Sequence, residues 1–365
     1  MAGAVVGAGD LAMEMLLACQ GLHKGTAAAV KVELAVTVCE WRRAGCPRGK
    51  WGRSDPDRGS EPRHLKDFLY LAASFAGTCN LWKAATAEML YLLALGLAFN
   101  AEESNPGLDL QKGTDFFWLG LAQLTQRKDD DGVHHVLRAI EEYRSAGLQY
   151  DEQTSKQYLG RIVVPPVRNA LGAPADLCRR AGHRHIMPEH LNWMLRSMFR
   201  ASPTGPYDPT LVLWLYRAVR KSQDLPGQTR LTPARRLDAL QDLTFFYEAA
   251  LKQRMGLPSG TLYDVVAEVQ KRKSYPVTCR KHWSRCTSFG QRASTCADPD
   301  VALAALQQAV PSDGASPAEF AEQVLLVLGL VRNMAHHEMN LESTILNSEY
   351  QWVLKRLLAA LLLSW

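Results

Sequence analysis

The sequence predicts an all-α protein, and three observations carry that prediction. Apolar residues recur at helical spacing in four consecutive runs, Leu65 to Cys79, Leu81 to Asn100, Thr114 to Arg127 and Gly132 to Gly147. Turn signals such as Ser104-Asn105-Pro106-Gly107 and Lys128-Asp129-Asp130-Asp131 punctuate those runs. Two later runs open on a hydroxyl residue followed by proline, Thr232-Pro233 and Ser316-Pro317. The hydroxyl can accept an orphan backbone N–H, and proline suits a first helical position that needs no donor.

At the N-terminus, Gly7-Ala8-Gly9-Asp10-Leu11-Ala12 fits the dinucleotide pattern G-x-G-x-x-A. That chemistry needs a buried strand in front of the glycines, and only Ala4-Val5-Val6 precedes them. A small-residue turn with a helix from about Asp10 is expected instead, Asp10 serving as N-cap. Val30, Leu34, Val38 and Trp41 repeat at helical spacing, although their β-branched content leaves a strand open. Residues 42 to 64 are rich in Gly, Pro, Ser, Arg and Asp and predict a mobile loop.

The third and fourth runs resemble one tetratricopeptide-like hairpin, at about 114–147. Leu119-Gly120 supplies a small residue for close helix packing, and Val136 and Ala139 occupy the matching positions of the second helix. Pro165-Pro166 is expected to interrupt the helical pattern. Beyond it, Arg179-Arg180-Ala181-Gly182-His183-Arg184-His185 and Pro188-Glu189-His190 predict a solvated basic loop. Helices follow at Leu191 to Arg200 and Leu211 to Gln223. Leu225-Pro226-Gly227 marks the expected domain boundary, giving a helical array at 1–225 and a second helical domain at 226–365. In the second domain, helices are expected from Thr232 to Gly256, from Ser259 to Val269, from Pro299 to Val310, from Ser316 through the apolar run to Leu330, and from Glu349 to Trp365.

Composition bounds the functional classes. The chain has 365 residues, 47% of them hydrophobic and 22% charged, which is the balance of a folded globular protein. A net charge of +5 is too mild by itself to argue for nucleic acid. The first residues lack a basic segment and carry Asp10 and Glu14, so no secretory signal is expected. The final apolar run is broken by Lys355 and Arg356, so no membrane span is expected there. Eight scattered cysteines suit a reducing cytoplasm rather than a disulfide scaffold. Cys279, His282, Cys286 and Cys296 lack a Cys-x2-Cys knuckle, so unpaired cysteines are expected rather than a metal site, and no cofactor is expected.

Two stretches carry candidate chemistry. The insert at 271–298 holds Lys271, Arg272, Lys273, Arg280, Lys281, Arg285 and Arg292, with Tyr275, His282, Trp283 and Phe289 among them. Cations take up phosphates and aromatics stack on bases, the combination that single-stranded nucleic acid prefers. A solvated surface insert is the other reading. The second stretch is Val331-Arg332-Asn333-Met334-Ala335-His336-His337-Glu338, between two apolar runs. On a helix Arg332 shares a face with His336, and Asn333 with His337. An arginine cannot shed its charge and needs an anion, and histidine moves protons near neutral pH. Glu338 and Glu342 are candidate carboxylates that could satisfy Arg332 structurally.

Arg332-Asn333-x3-His337, closing an apolar helix of a four- or five-helix unit, resembles the Arg-x4-6-His signature of the HEPN-domain superfamily, over about 232–365. The resemblance implies a metal-independent endoribonuclease that cleaves single-stranded RNA where two copies of the motif meet in a homodimer. Arg332 would hold the scissile phosphate and Asn333 would brace it. His337 would act as general acid or base toward the ribose 2′-hydroxyl, with His336 in support. A defence or toxin role follows from the same resemblance. Met339 stands where antitoxin-controlled members carry tyrosine. The N-terminal array would then be a sensor or scaffold with a protein partner. The alternatives are a non-catalytic HEPN-like or helical-repeat module that binds RNA, nucleotide or a protein, and a plain tetratricopeptide-type adaptor.

Overall fold

A computed structural model describes residues 84–147, 152–200, 207–223, 232–255, 268, 271, 299–309, 316–337 and 340–365. Its regular elements are helical, as the sequence predicts. They comprise α1 (Ala84–Ser104), α2 (Gly113–Thr125), α3 (Asp129–Ser145), α4 (Glu152–Arg180), α5 (Pro188–Ser197), α6 (Thr210–Ser222), α7 (Pro233–Met255), α8 (Pro299–Ala309), α9 (Pro317–His337), a 3-10 turn at Thr344–Leu346, and α10 (Tyr350–Ser364). No strand occurs among the described residues; one isolated antiparallel bridge pairs Arg200 with Tyr207. The Gly7–Ala12 pattern, the Val30–Trp41 run, the 42–64 loop and the Leu65–Cys79 run lie outside the described residues.

The chain divides into Met1–Asp151 and Glu152–Trp365. Within the second unit α4 packs on α6 and α10, and α6 packs on α7.

In the first unit, α1 buries Ala87, Tyr91, Ala94, Leu95 and Ala98, a stripe at helical spacing, and packs on α2. The helices α2 and α3 form the expected hairpin. A Cβ built on Gly120 would lie 2.6 Å from Val136 Cγ2 and 2.7 Å from the Gly132 carbonyl oxygen. One on Gly132 would lie 2.7 Å from Leu124 Cγ. The two glycines therefore let the backbones approach where the sequence placed a small residue. Thr114 and Tyr143 close the far end, their hydroxyls 2.6 Å apart.

Glu88 on α1 ties the hairpin down. Its carboxylate accepts from Lys128 Nζ at 2.7 and 2.9 Å, Gln126 Nε2 at 2.7 Å and Gln123 Nε2 at 3.2 Å. Burial pushes its pKa up, but bonds from Lys128, Gln126 and Gln123 outweigh burial and hold it below the ordinary carboxylate value.

In the second unit, α4 runs unbroken through Pro165, Pro166 and Pro174, so the expected interruption at Pro165-Pro166 does not occur. Each interior proline removes a backbone donor and crowds the preceding turn. The offset is tertiary: Leu159, Val163, Val167, Leu171, Ala175 and Cys178 form one fully buried line along the helix, which packs on α6 and α10. Pro165 itself is exposed. Pro165→Ala is therefore expected to stabilise the unit by about 1–3 kcal/mol, read as a higher urea midpoint. An unchanged midpoint would contradict this.

The basic stretch after α4 corrects a second expectation. Arg179 and Arg180 belong to the helix, which ends in a Schellman motif: His183 N–H donates to Cys178 O at 3.0 Å and Gly182 N–H to Arg179 O at 3.0 Å. Gly182 takes φ +88°, and a Cβ there would lie 2.8 Å from Pro317 Cγ. His183 is buried rather than solvated, and its Nε2–H donates to the Pro317 carbonyl at 2.9 Å. Burial, aided by His185, pushes the His183 pKa below 6.5 against the opposing pull of that carbonyl. The unfolded chain then binds more protons than the folded one below that value, so stability falls as pH drops. Wild type is expected to lose more urea resistance between neutral and mildly acidic pH than His183→Gln, which keeps a donor but does not titrate. Equal losses would contradict the assignment.

This turn anchors the start of α9. Ser316 and Glu319 add a capping box: Ser316 N–H and Oγ–H both donate to Glu319 Oε2 at 2.8 Å, and Glu319 N–H donates to Ser316 Oγ at 3.3 Å. The body of α9 buries Phe320, Ala321, Val324, Leu325, Val327, Leu328 and Val331, and packs against α7, α8 and α10. Asp300 on α8 fastens the 3-10 turn by accepting from Ser343 Oγ at 2.6 Å and Thr344 Oγ1 at 2.8 Å. The α10 helix is buried almost all round, through Leu361, Leu362, Leu363 and Trp365. Among the described residues no helix is long and apolar enough to cross a membrane.

Candidate functional site

The last two turns of α9 carry the candidate residues. Met334 and Val331 point into the core, fixing the helix rotation, while Arg332 and Asn333 are half-buried beside them. The backbone is helical through His337, so His336 lies one turn beyond Arg332, and His337 one turn beyond Asn333. The side chains of His336 and His337 lie outside the described residues, as do Glu338 and Met339.

Arg332 meets its carboxylate on α7, not in the sequence that follows it. Its Nε stands 3.8 Å from Glu248 Oε2, with the arginine side chain 30% exposed. This differs from the expectation of Glu342 as partner, which is exposed; Glu338, the other candidate, lies outside the described residues. Glu248 is more closely held by Lys252 Nζ on its own helix, at 2.6 Å. At 3.8 Å the arginine contact is beyond hydrogen-bond length, and Arg332 Nε is shielded from solvent without a hydrogen bond. Among the described residues, two cations thus share one carboxylate at the end of α9.

Sequence reasoning missed Glu248 and Lys252. Their spacing of four on a helix was a visible ion-pair signal, but nothing local ties them to Arg332.

Of the basic insert, Lys271 is described: it is exposed, 3.9 Å from Glu268. Arg272, Lys273, Arg280, Lys281, Trp283 and Arg285 lie outside the described residues, as do Cys279, His282, Cys286 and Cys296. Among the described residues no group of His, Cys, Asp and Glu could hold a metal ion. Cys178 is a free, buried thiol that burial pushes up to about 12, which leaves it inert as a nucleophile.

Compared with known families, curated proteins and solved structures, the chain matches none.

Proposed function

We propose that the second unit is a HEPN-like, metal-independent endoribonuclease for single-stranded RNA, with Arg332, Asn333, His336 and His337 as its site. The observation that carries this reading is the incomplete satisfaction of Arg332. Its Nε makes no hydrogen bond, and Glu248, the carboxylate facing it among the described residues, is already bonded to Lys252. A phosphate at the end of α9 would complete it. Asn333 brackets the same turn, and one histidine takes the proton of the ribose 2′-hydroxyl. The 2′-oxygen attacks the adjacent phosphorus and the 5′-oxygen departs, protonated by the second histidine or by one from a second copy. The products are a 2′,3′-cyclic phosphate and a 5′-hydroxyl. The enzyme works as a homodimer through this unit, in the cytoplasm, as a defence or toxin effector. The basic insert at 271–298 guides RNA, and the N-terminal helices hold a protein partner.

A second reading rests on the Arg332–Glu248 pair itself. An arginine matched inside its own subunit fits a non-catalytic helical module that binds RNA, nucleotide or protein. Purified protein incubated with single-stranded RNA in EDTA separates the two. Cleavage leaving cyclic phosphate ends supports the enzyme, whereas binding without cleavage sinks it in favour of the module.

A further inference from the structure

We propose that the outer face of α4 is an interaction surface for the phosphate backbone of a nucleic acid, held by Arg161, Arg168, Arg180 and Arg184. The surface is separate from Arg332 and goes beyond the ribonuclease reading.

From residue 156 to residue 184 the chain carries Arg161, Arg168, Arg179, Arg180 and Arg184 but a single carboxylate, Asp176. Arg179 is bonded to Asp176 and also donates to the Ile186 carbonyl at 3.2 Å, so that pair is closed. The other four arginines are exposed. Among the described residues no hydrogen bond, ion pair or ring contact engages their side chains.

The burial pattern sets their direction. Leu159, Val163, Val167, Leu171, Ala175 and Cys178 line the packed side of α4, and Arg161 and Arg168 stand on the exposed side. At 3.6 residues per turn, Arg168 returns to within about 20° of Arg161. Arg180 stands beside that line three turns further, and Arg184 just beyond the Gly182 turn. At 1.5 Å per residue, Arg161 and Arg180 are about 28 Å apart along the axis.

Helix energetics do not account for the first two. A cation in the last turn gains from the helix dipole, which suits Arg179 and Arg180, but the gain fades within that turn. A carboxylate three or four residues away would steady an exposed cation. Around Arg161 those positions hold Gln157, Tyr158, Val164 and Pro165; around Arg168 they hold Val164, Pro165, Leu171 and Gly172. None is charged, so the face keeps its positive charge for an outside anion.

What the face lacks selects the anion. Between Arg161 and Arg184 it shows no exposed large apolar side chain. A protein partner would need an apolar core to its interface, and a membrane surface would need side chains that insert. A phosphate backbone needs neither. Guanidinium forks bind its oxygens bidentately, and affinity comes from the counterions released. Residues 161–184 include no Phe, Tyr or Trp to stack a base, so the contacts position a nucleic acid without reading its sequence.

The test uses the full chain and two labelled probes, a 2′-O-methyl RNA single strand, which lacks the hydroxyl needed for self-cleavage, and a DNA duplex. Anisotropy at about 0.1 M salt is expected to show both bound. Arg161→Gln with Arg168→Gln and Arg180→Gln should raise Kd about 10- to 100-fold and flatten the slope of log Kd against log salt by about 2 to 3, with the thermal midpoint unchanged. The same three positions changed to Lys should keep the wild-type slope. A triple Gln variant with wild-type Kd and slope overturns the inference, as does a wild type that binds neither probe. A loss that depends on base sequence also overturns it. Phosphatidylserine vesicles that wild type binds and the triple variant does not, with nucleic-acid affinity unchanged, would assign the face to membranes instead. Unmodified RNA separates this surface from the nuclease. Binding through α4 without cutting sinks the ribonuclease alone, and cutting by a triple variant that binds as well as wild type sinks the surface alone.

Discussion

Gly120→Ala is expected to destabilise the first unit by about 2–4 kcal/mol, the cost of forcing apart backbones at a close-packed contact. The added methyl would lie 2.6 Å from Val136 Cγ2, 2.7 Å from the Gly132 carbonyl oxygen and 3.0 Å from the Val136 nitrogen. A side chain can turn away, but a carbonyl and an amide inside α3 move only if the whole helix moves. That displacement would open the α2–α3 core of Leu119, Leu124, Val136 and Ile140. Gly96 on α1 is the matched control. It is helical and a Cβ there meets nothing within 4 Å, so Gly96→Ala is expected to stabilise by roughly 0.5–1 kcal/mol through helix propensity. Opposite signs for one chemical change, read from denaturation midpoints, would establish the close approach. Equal effects would contradict it.

His337→Ala is expected to lower RNA cleavage by about 100- to 10,000-fold, the range for removing a general acid or base. His336→Ala should cost less, and the comparison assigns the proton-transfer role between them. The variant should still bind RNA, because Arg332 and the insert's cations remain. Bound but uncut RNA is therefore the diagnostic state. If His336→Ala proves the more damaging, the acid–base role passes to the residue in better helical register with Arg332.

What the sequence made legible was local. The cap-and-proline signals predicted helix starts that the structure places at Pro233 and Pro317, with Arg235 N–H donating to Thr232 Oγ1 at 3.4 Å in the first. The small residue at Gly120 was legible because close helix packing has a residue-type signature. What failed was settled by distant neighbours. Pro165-Pro166 reads as a break on propensity alone, and the buried line from Leu159 to Cys178 overrides it. His183 reads as part of a solvated loop until the Pro317 carbonyl arrives from a remote helix. Arg356 reads only as a charge interrupting an apolar run. In the fold it is buried over the Trp352 ring at 3.4 Å, with its Nε donating to Gln323 Oε1 at 3.0 Å. Burial pushes that guanidinium down to about 10. In the candidate site, the placement of Arg332 and Asn333 on one helical turn was legible from spacing. The Glu248 partner was not, because it comes from another helix.

The pairing of Arg332 with Glu248 sets the decisive comparison. If the arginine exists to satisfy a carboxylate, removing it harms folding; if it exists to hold a phosphate, removing it harms cleavage. The ion pair is long and its carboxylate is already bonded to Lys252, so the folding cost should be small, within the roughly 0–1 kcal/mol of a partly exposed pair. The measurement is the initial rate of single-stranded RNA cleavage in EDTA by wild type and Arg332→Ala, with the denaturation midpoint of each. The account predicts EDTA-resistant cleavage by wild type, and loss of about 100-fold or more in the variant at a nearly unchanged midpoint. A variant that cuts as fast as wild type, or a wild type that cuts nothing, would contradict it.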